Sequence, residues 1–294
     1  MTGMKKETLR HHQTIVNDAL YYIYRHIDSP ITLELLSERN RTSVYHFHRI
    51  FKEVTGRNFY DTLQSIRLQK AANLLIVNRA EMVSTIAQQC GYSTHTAFIR
   101  AFKQRYGMTP TQWRKGGYLD FSKENIRYSD NAPRIESDFT GVKPVIVKMP
   151  AIHVAYIRHR GYNRSIADTW RRLYAYALKN GLEKARQIGL HHDNPSIVPL
   201  DECAYVAAVE IPENFEVSGS VFSFVIPASL CARFTVQGRY GEVPNLIRYI
   251  FHAWLPGSGF EAKTLPPYAV YRKNHFLERD ERFDLDFYLP VSVV

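Results

Sequence analysis

The stretch FHRIFKEVTG at residues 47–56 returns as FIRAFKQRYG at residues 98–107, 51 positions later. Phe47 and Phe98, Arg49 and Arg100, Phe51 and Phe102, Lys52 and Lys103, and Gly56 and Gly107 are identical pairs, in register and without a gap. A repeat this compact is one supersecondary unit used twice. Apolar residues fall at Phe47, Ile50, Phe51 and Val54, and again at Phe98, Ala101 and Phe102, which is the buried face of a short amphipathic helix. Thr42 and Ser43, like Ser93 and Thr94, stand where an N-cap belongs, and Gly56 and Gly107 stand where a left-handed C-cap belongs. The opposite face carries Tyr45, His48, Arg49 and Lys52 in one copy and Thr96, Ile99, Arg100 and Lys103 in the other. Each copy buries one side and turns a basic, hydrogen-bonding side outward.

LELLSERN (residues 33–40) and VSTIAQQCG (residues 83–91) read as short helices, each separated by a tight turn from the capped helix that follows. Helix, short turn and capped helix is the helix-turn-helix pattern, whose second helix enters the DNA major groove. Many helical hairpins share that outline, so one copy alone says little. Two copies joined by a helical stretch at residues 63–77, LQSIRLQKAANLLIV, say much more.

With those motifs in place, residues 14–115 resemble the DNA-binding domain of the AraC/XylS family of bacterial transcription regulators. The resemblance rests on RLQKAANLL (residues 67–75), on IAQQCGYSTHTAFIRAFKQRYGMTP (residues 86–110) and on the closing Trp113 and Arg114. It implies an all-α tandem helix-turn-helix domain that binds double-stranded promoter DNA as a monomer, with RNA polymerase as a further partner. It implies that Tyr45, His48 and Arg49 face bases from the first capped helix, and His95, Thr96, Ile99 and Arg100 from the second. Lys52, Arg57 and Lys103 are expected on phosphates, fixing register without reading sequence.

Charge points the same way. The chain carries a net +10, and residues 1–118 hold 17 Lys and Arg against 8 Asp and Glu, so +9 lies in that segment. Such a concentration is the electrostatic footprint expected for an anionic polymer. No apolar run reaches the roughly 18 residues of a membrane span, and MTGMKKE lacks the apolar region of a secretory signal. A cytoplasmic protein is expected. Cys90, Cys203 and Cys231 are odd in number and widely spaced, which suits reduced thiols better than disulfides or zinc ligands. The pairs His11, His12 and His191, His192 lack companion ligands, since adjacent side chains diverge; neither a metal nor a cofactor is expected.

After Gly116 and Gly117 the sequence turns polar, and residues 119–141 read as a linker between a domain at 1–118 and a second at 142–294. The second half has a fainter repeat offset by 78, in which Tyr162 falls on Tyr240, Tyr176 on Trp254 and Gly181 on Gly259. Each copy runs strand, helix, strand, strand. Duplication of that unit implies an α+β domain with an antiparallel sheet, helices on one side and a cleft near the pseudo-twofold axis; a glycine-rich phosphate turn is lacking.

Residues 143–294 resemble the GyrI-like effector-binding domain, also found in multidrug-responsive regulators. The motifs are the turn at Arg160, Gly161 and Tyr162, HAWLPGSGF (residues 252–260) and the closing DLDFYLPVS. Where the family often has a glutamate four residues before the last proline, this chain has Asp286. The resemblance implies a small-molecule effector. With Asp286 supplying charge and Tyr162, Trp254 and Tyr288 as walls, a cationic aromatic compound is the expectation, because aromatic faces attract cations and a desolvated carboxylate gains from one. Strand alternation puts Asp284, Asp286 and Tyr288 on one face and Phe283, Leu285 and Phe287 on the other. Two other readings of this domain are a hydrolase of small reactive compounds and a protein-docking module. No Ser/His/Asp or Cys/His constellation is legible, and fusion to a double helix-turn-helix favours a regulator over an enzyme.

Overall fold

The computed structural model describes residues 2–127 and 138–293, the side chains of residues 2–6 and 127 excepted. It divides into two compact units, Met1–Tyr118 and Leu119–Val294.

The first unit is helical. A long α1 (Thr2–Arg25) precedes the first helical pair, α2 (Leu33–Arg39) and α3 (Val44–Thr55). The connecting helix α4 (Phe59–Val77) begins a turn earlier than the apolar pattern predicts, because Asn58 caps it by accepting the Asp61 N–H at 2.8 Å. The second pair is α5 (Val83–Gln89) and α6 (His95–Tyr106), followed by the single turn α7 (Pro110–Gln112). The caps keep the spacing of the repeat. Ser43 accepts from His46 N–H and Thr94 from Ala97 N–H, both at 3.2 Å, while Gly56 and Gly107 adopt φ of 73° and 70°. Only glycine takes that left-handed conformation without penalty, which is why both copies end on it.

Phe47, Ile50 and Phe51 of α3 are buried against Ile15, Ala19 and Ile23 of α1 and Phe59 and Leu63 of α4. In the second copy Phe98, Phe102 and Tyr106 form an edge-packed run of rings that reaches Trp113, whose indole N–H donates to the Ala72 carbonyl at 3.0 Å. Arg67, at the start of RLQKAANLL, donates to the carbonyls of Ile27 and Ser29 and ties α4 to the end of α1. Burial lowers the pKa of that guanidinium.

The expected linker begins as a helix, α8 (Tyr118–Arg127). Asn125 donates to the carbonyls of Pro195 and Val198, at 2.9 and 2.8 Å, so the helix is fastened to the second unit. Residues 128–137 lie outside the described residues.

The second unit is one antiparallel sheet with two helices on it. The first copy is β2 (Ile152–Arg160), α9 (Ile166–Lys179), β3 (Gln187–His191) and β4 (Ala204–Glu210). The second is β6 (Ser229–Arg239), α10 (Val243–Tyr249) with a looser turn over Ile250–Trp254, β8 (Tyr268–Lys273) and β9 (Arg282–Val293). Two strands precede the copies, β1 (Val145–Met149) and β5 (Phe222–Ile226), and a short β7 (Phe260–Ala262) pairs with β9. Strand order is β1-β6-β9-β8-β3-β4-β2-β5, so the copies join through β8 and β3, which mark the pseudo-twofold axis.

Residues 145–161, which lead into and open the first copy, are bent. β1 and β2 are separated by Pro150 and Ala151 only, yet lie at opposite ends of the strand order. In a flat sheet six strand spacings would part them by roughly 29 Å, whereas the connection reaches about 11 Å. The sheet must therefore curl. Pro227 and Ala228 make the matching corner between β5 and β6. Val145 faces Arg233 and Ile152 faces Ile226, so β1–β2 and β5–β6 form one ladder with unchanged register through both corners.

Inside the curl lies a core of Val154, Tyr156, Leu190, Val206, Cys231, Tyr268 and Tyr288. The alternate residues face the helices, and α9 packs on β2 and β4. All three cysteines are free and buried.

Candidate DNA interface and effector site

Helical geometry sorts α3 and α6 into two faces. Tyr45 is 79% exposed at the start of α3, although aromatic rings of that size are normally withdrawn from water. Arg49 and Lys52 are exposed and His48 is half-buried along the same side. On α6, His95, Thr96, Arg100 and Lys103 are exposed and Ile99 is half-buried. Arg57, just past the C-cap glycine, is half-buried. The exposed cations of each copy stand on the side opposite the buried phenylalanines. Arg49 donates to His46 Nδ1 at 3.2 Å; arginine has no acceptor, so this contact requires an unprotonated Nδ1. The side chains of Arg100, Lys52 and Lys103 have no partner among the described residues, which leaves their donors available.

The four residues expected to form an effector pocket do not converge. Asp286 and Tyr288 lie on the inner face of the curled sheet, while Tyr162 and Trp254 lie on the helix side. Tyr288 is 6% exposed and stacks on Tyr268 with ring centres 5.0 Å apart. Asp286 is no lone carboxylate, for Arg272 pairs with it at 2.8 Å and Thr235 donates to it at 2.6 Å. Its charge is already compensated, which removes the reason for it to select a cation. Trp254 packs on Phe234 and Phe260 of its own copy, away from the axis. The physical cause is strand alternation together with the curl, which separates the two faces completely.

Of the four, Tyr162 alone reaches the axis. Its ring lies 5.5 Å from His191 and 6.0 Å from Tyr205. From there contacts run through Trp170, Tyr271, His275 and Phe276 to Tyr240, the repeat mate of Tyr162. Trp170 donates to the Tyr205 hydroxyl at 3.2 Å. Gly189 lies beneath, where a Cβ would overlap that hydroxyl. Both copies thus contribute to one buried cluster of aromatic rings and imidazoles.

The cluster is neutral. Burial pushes His191 and His275 down to about 3 and raises the hydroxyl pKa of Tyr162 and Tyr205, because a charge there would be stripped of water. His191 Nε2, His275 Nδ1 and the Tyr162 hydroxyl are buried without a hydrogen-bond partner among the described residues. Each such atom costs about 1–3 kcal/mol when left unsatisfied. At the rim, Arg164 lies 4.4 Å above the Tyr240 ring and forms a two-pronged pair with Glu281, joining the two copies over the cluster.

A cavity of about 650 Å³ opens elsewhere, beside Gln237, Arg239, Arg272, Arg282 and Asp284. Its charges are partly committed to one another, notably Arg272 to Asp284 and Asp286. It is the roomier site, but no residue lining it has a buried polar atom without a partner, whereas three in the aromatic cluster do.

Comparison with known proteins matches a GyrI-like small molecule binding domain to residues 143–292 and a helix-turn-helix domain to residues 36–116. The chain belongs to the AraC/XylS family and carries a C-terminal GyrI-like domain. Among relatives of this AraC-type chain, the right origin-binding protein of Escherichia coli strain K12 is 32% identical over 101 residues, which is 34% of this chain and 35% of the relative. The chain thus spans about a third of that relative's length. The regulatory protein SoxS of the same strain is 29% identical over 103 residues, 35% of this chain and 95% of SoxS. A solved structure of EcmrR in a DNA complex covers 90% of the chain at 13% identity with a TM-score of 0.45.

Sequence reasoning offers Tyr205 and Tyr271 only among the many aromatic candidates for a cleft, and misses His191 and His275. Tyr240 was visible as the repeat mate of Tyr162. His191 was visible only as half of a histidine pair, and its placement depends on β3 lying at the axis. Nothing local marks His275, which follows β8 in a turn.

Proposed function

We propose that the protein is a sequence-specific transcription regulator whose helical unit reads promoter DNA and whose second unit binds a small-molecule effector. The observation that carries the DNA reading is the pair of outward basic faces on capped helices, repeated with the same spacing. In this reading α3 and α6 enter successive major grooves of one duplex, about 10 base pairs apart. Arg49 and Arg100 contact guanine edges, with Tyr45, His48, His95 and Thr96 as further hydrogen-bonding readers and Ile99 against a thymine methyl. Lys52, Arg57 and Lys103 hold phosphates.

One monomer suffices for two half-sites, because both helices belong to one chain. The effector acts by favouring one arrangement of the protein over another, since equal affinity for both would shift nothing. RNA polymerase is the natural recipient of that change. A regulator, not an enzyme, is the reading favoured by fusion of the binding domain to a DNA reader. Selection of bound duplexes from a random pool tests the first half. Recovery of one motif with two half-sites about a helical turn apart supports it, and recovery of unrelated sequences contradicts it.

A further inference from the structure

The aromatic cluster at the axis of the second unit contains more hydrogen-bonding capacity than the protein satisfies. His191 and His275 are 2% and 3% exposed, and Tyr162 is 7% exposed. Of the buried side-chain polar atoms that lack partners among the described residues, three, from both repeats, share this one ring network. The Tyr205 and Tyr271 hydroxyls are 3.4 Å apart and have each other. We propose, building on the reading of this unit as an effector domain, that the cluster binds a neutral, flat heteroaromatic compound carrying a hydrogen-bond donor and an acceptor, held by His191, His275 and Tyr162 between the two repeats.

The chemistry of the site narrows the ligand. A cation would need a free carboxylate, whereas Glu281 at the rim is paired with Arg164 and the buried Glu242 accepts the Arg239 N–H. An anion would meet buried neutral imidazoles, which protonate only at a cost. A neutral imidazole donates from one nitrogen and accepts at the other, so two of them with a phenol match a ligand that does both. Flat rings suit walls made of Tyr162, Tyr205, Tyr271 and Trp170. Entry runs beside Arg164 and Glu281, an exposed pair that water can replace at little cost. The compensated Asp286, on the other face of the sheet, takes no part.

The test compares two probes of one ring outline on the full chain by calorimetry. 2-Quinolinone is neutral with an N–H and a carbonyl; N-methylquinolinium carries a fixed positive charge. The expected result is that 2-quinolinone binds, and binds at least roughly tenfold more tightly than the cation. His191→Phe and His275→Phe, which keep a ring and remove the nitrogens, each weaken it about tenfold, because a site built to hydrogen-bond loses most when its partner is gone. Tyr162→Phe, the mildest change, gives a smaller loss in the same direction, and Asp286→Asn has no effect. Unchanged 2-quinolinone affinity in folded His191→Phe and His275→Phe proteins overturns the assignment and leaves water as the occupant. Tighter binding of the cation, lost in Asp286→Asn, overturns it too while effector sensing itself stands. Failure of 2-quinolinone to bind the wild-type chain also overturns it. Effector sensing is judged separately, by whether any bound compound alters DNA affinity.

Discussion

Both units are duplications, and they use their copies in opposite ways. In the helical unit the copies are separated by α4, each has its own apolar core, and each exposes its own basic face. In the sheet unit the copies share strands across β3 and β8, and their equivalent tyrosines, Tyr162 and Tyr240, enter one cluster. A helix that spaces two copies keeps two sites; a sheet that fuses them leaves one. Losses should therefore add between α3 and α6 but couple strongly around the axis.

The largest test is acidity. His191, His192, His252 and His275 are all pushed down to about 3 by burial, and all belong to the sheet unit. Below the ordinary histidine value near 6.5 the unfolded chain takes up protons that the folded unit refuses, so stability is full above that pH and falls as pH drops toward 3. Each such histidine contributes up to roughly 1.4 kcal/mol per pH unit across that window, and together they should cost the unit several kcal/mol by pH 5. Urea melts of the whole chain at pH 7.5 and 5.0 should show the sheet transition move well beyond the helical one, where burial also lowers His12. Equal movement of both would break the comparison.

Truncating the separate cores comes next. Phe98→Ala should destabilise the helical unit by about 3–5 kcal/mol and leave the sheet transition in place. Gly189→Ala should do the reverse, by about 1–3 kcal/mol, because the added Cβ overlaps the Tyr205 hydroxyl in a packed site. Differential scanning calorimetry separates the two transitions. The smallest effect is Lys103→Ala, which should weaken binding to all duplexes alike and reduce the log–log salt slope by about one. A change in the preferred sequence would instead make Lys103 a base reader.

How much was legible in the sequence follows from the same contrast. Helix-turn-helix copies are local: caps, apolar spacing and Gly56 and Gly107 all lie within twelve or so residues of what they shape, and the structure places them as read. The sheet is non-local. Alternation around Asp286 was read correctly, yet a strand pattern does not say which face curls inward. The corners at Pro150, Ala151 and Pro227, Ala228 carry that information, as a Pro-Ala pair that recurs 77 positions on, one short of the 78 that separates the copies. Without them Asp286 and Tyr288 were grouped with Tyr162 and Trp254, across the thickness of the sheet. His275 was invisible, since only the fold brings its turn to the axis.

The most direct test of DNA reading by two independent helices is a specificity measurement on single and double variants. Arg49→Ala and Arg100→Ala proteins should each lose about 1–3 kcal/mol of discrimination at one half-site only, and the double variant should lose the sum to within about 0.5 kcal/mol. Wild-type affinity and preference in the Arg100→Ala protein, or equal loss at both half-sites from either change, would contradict it.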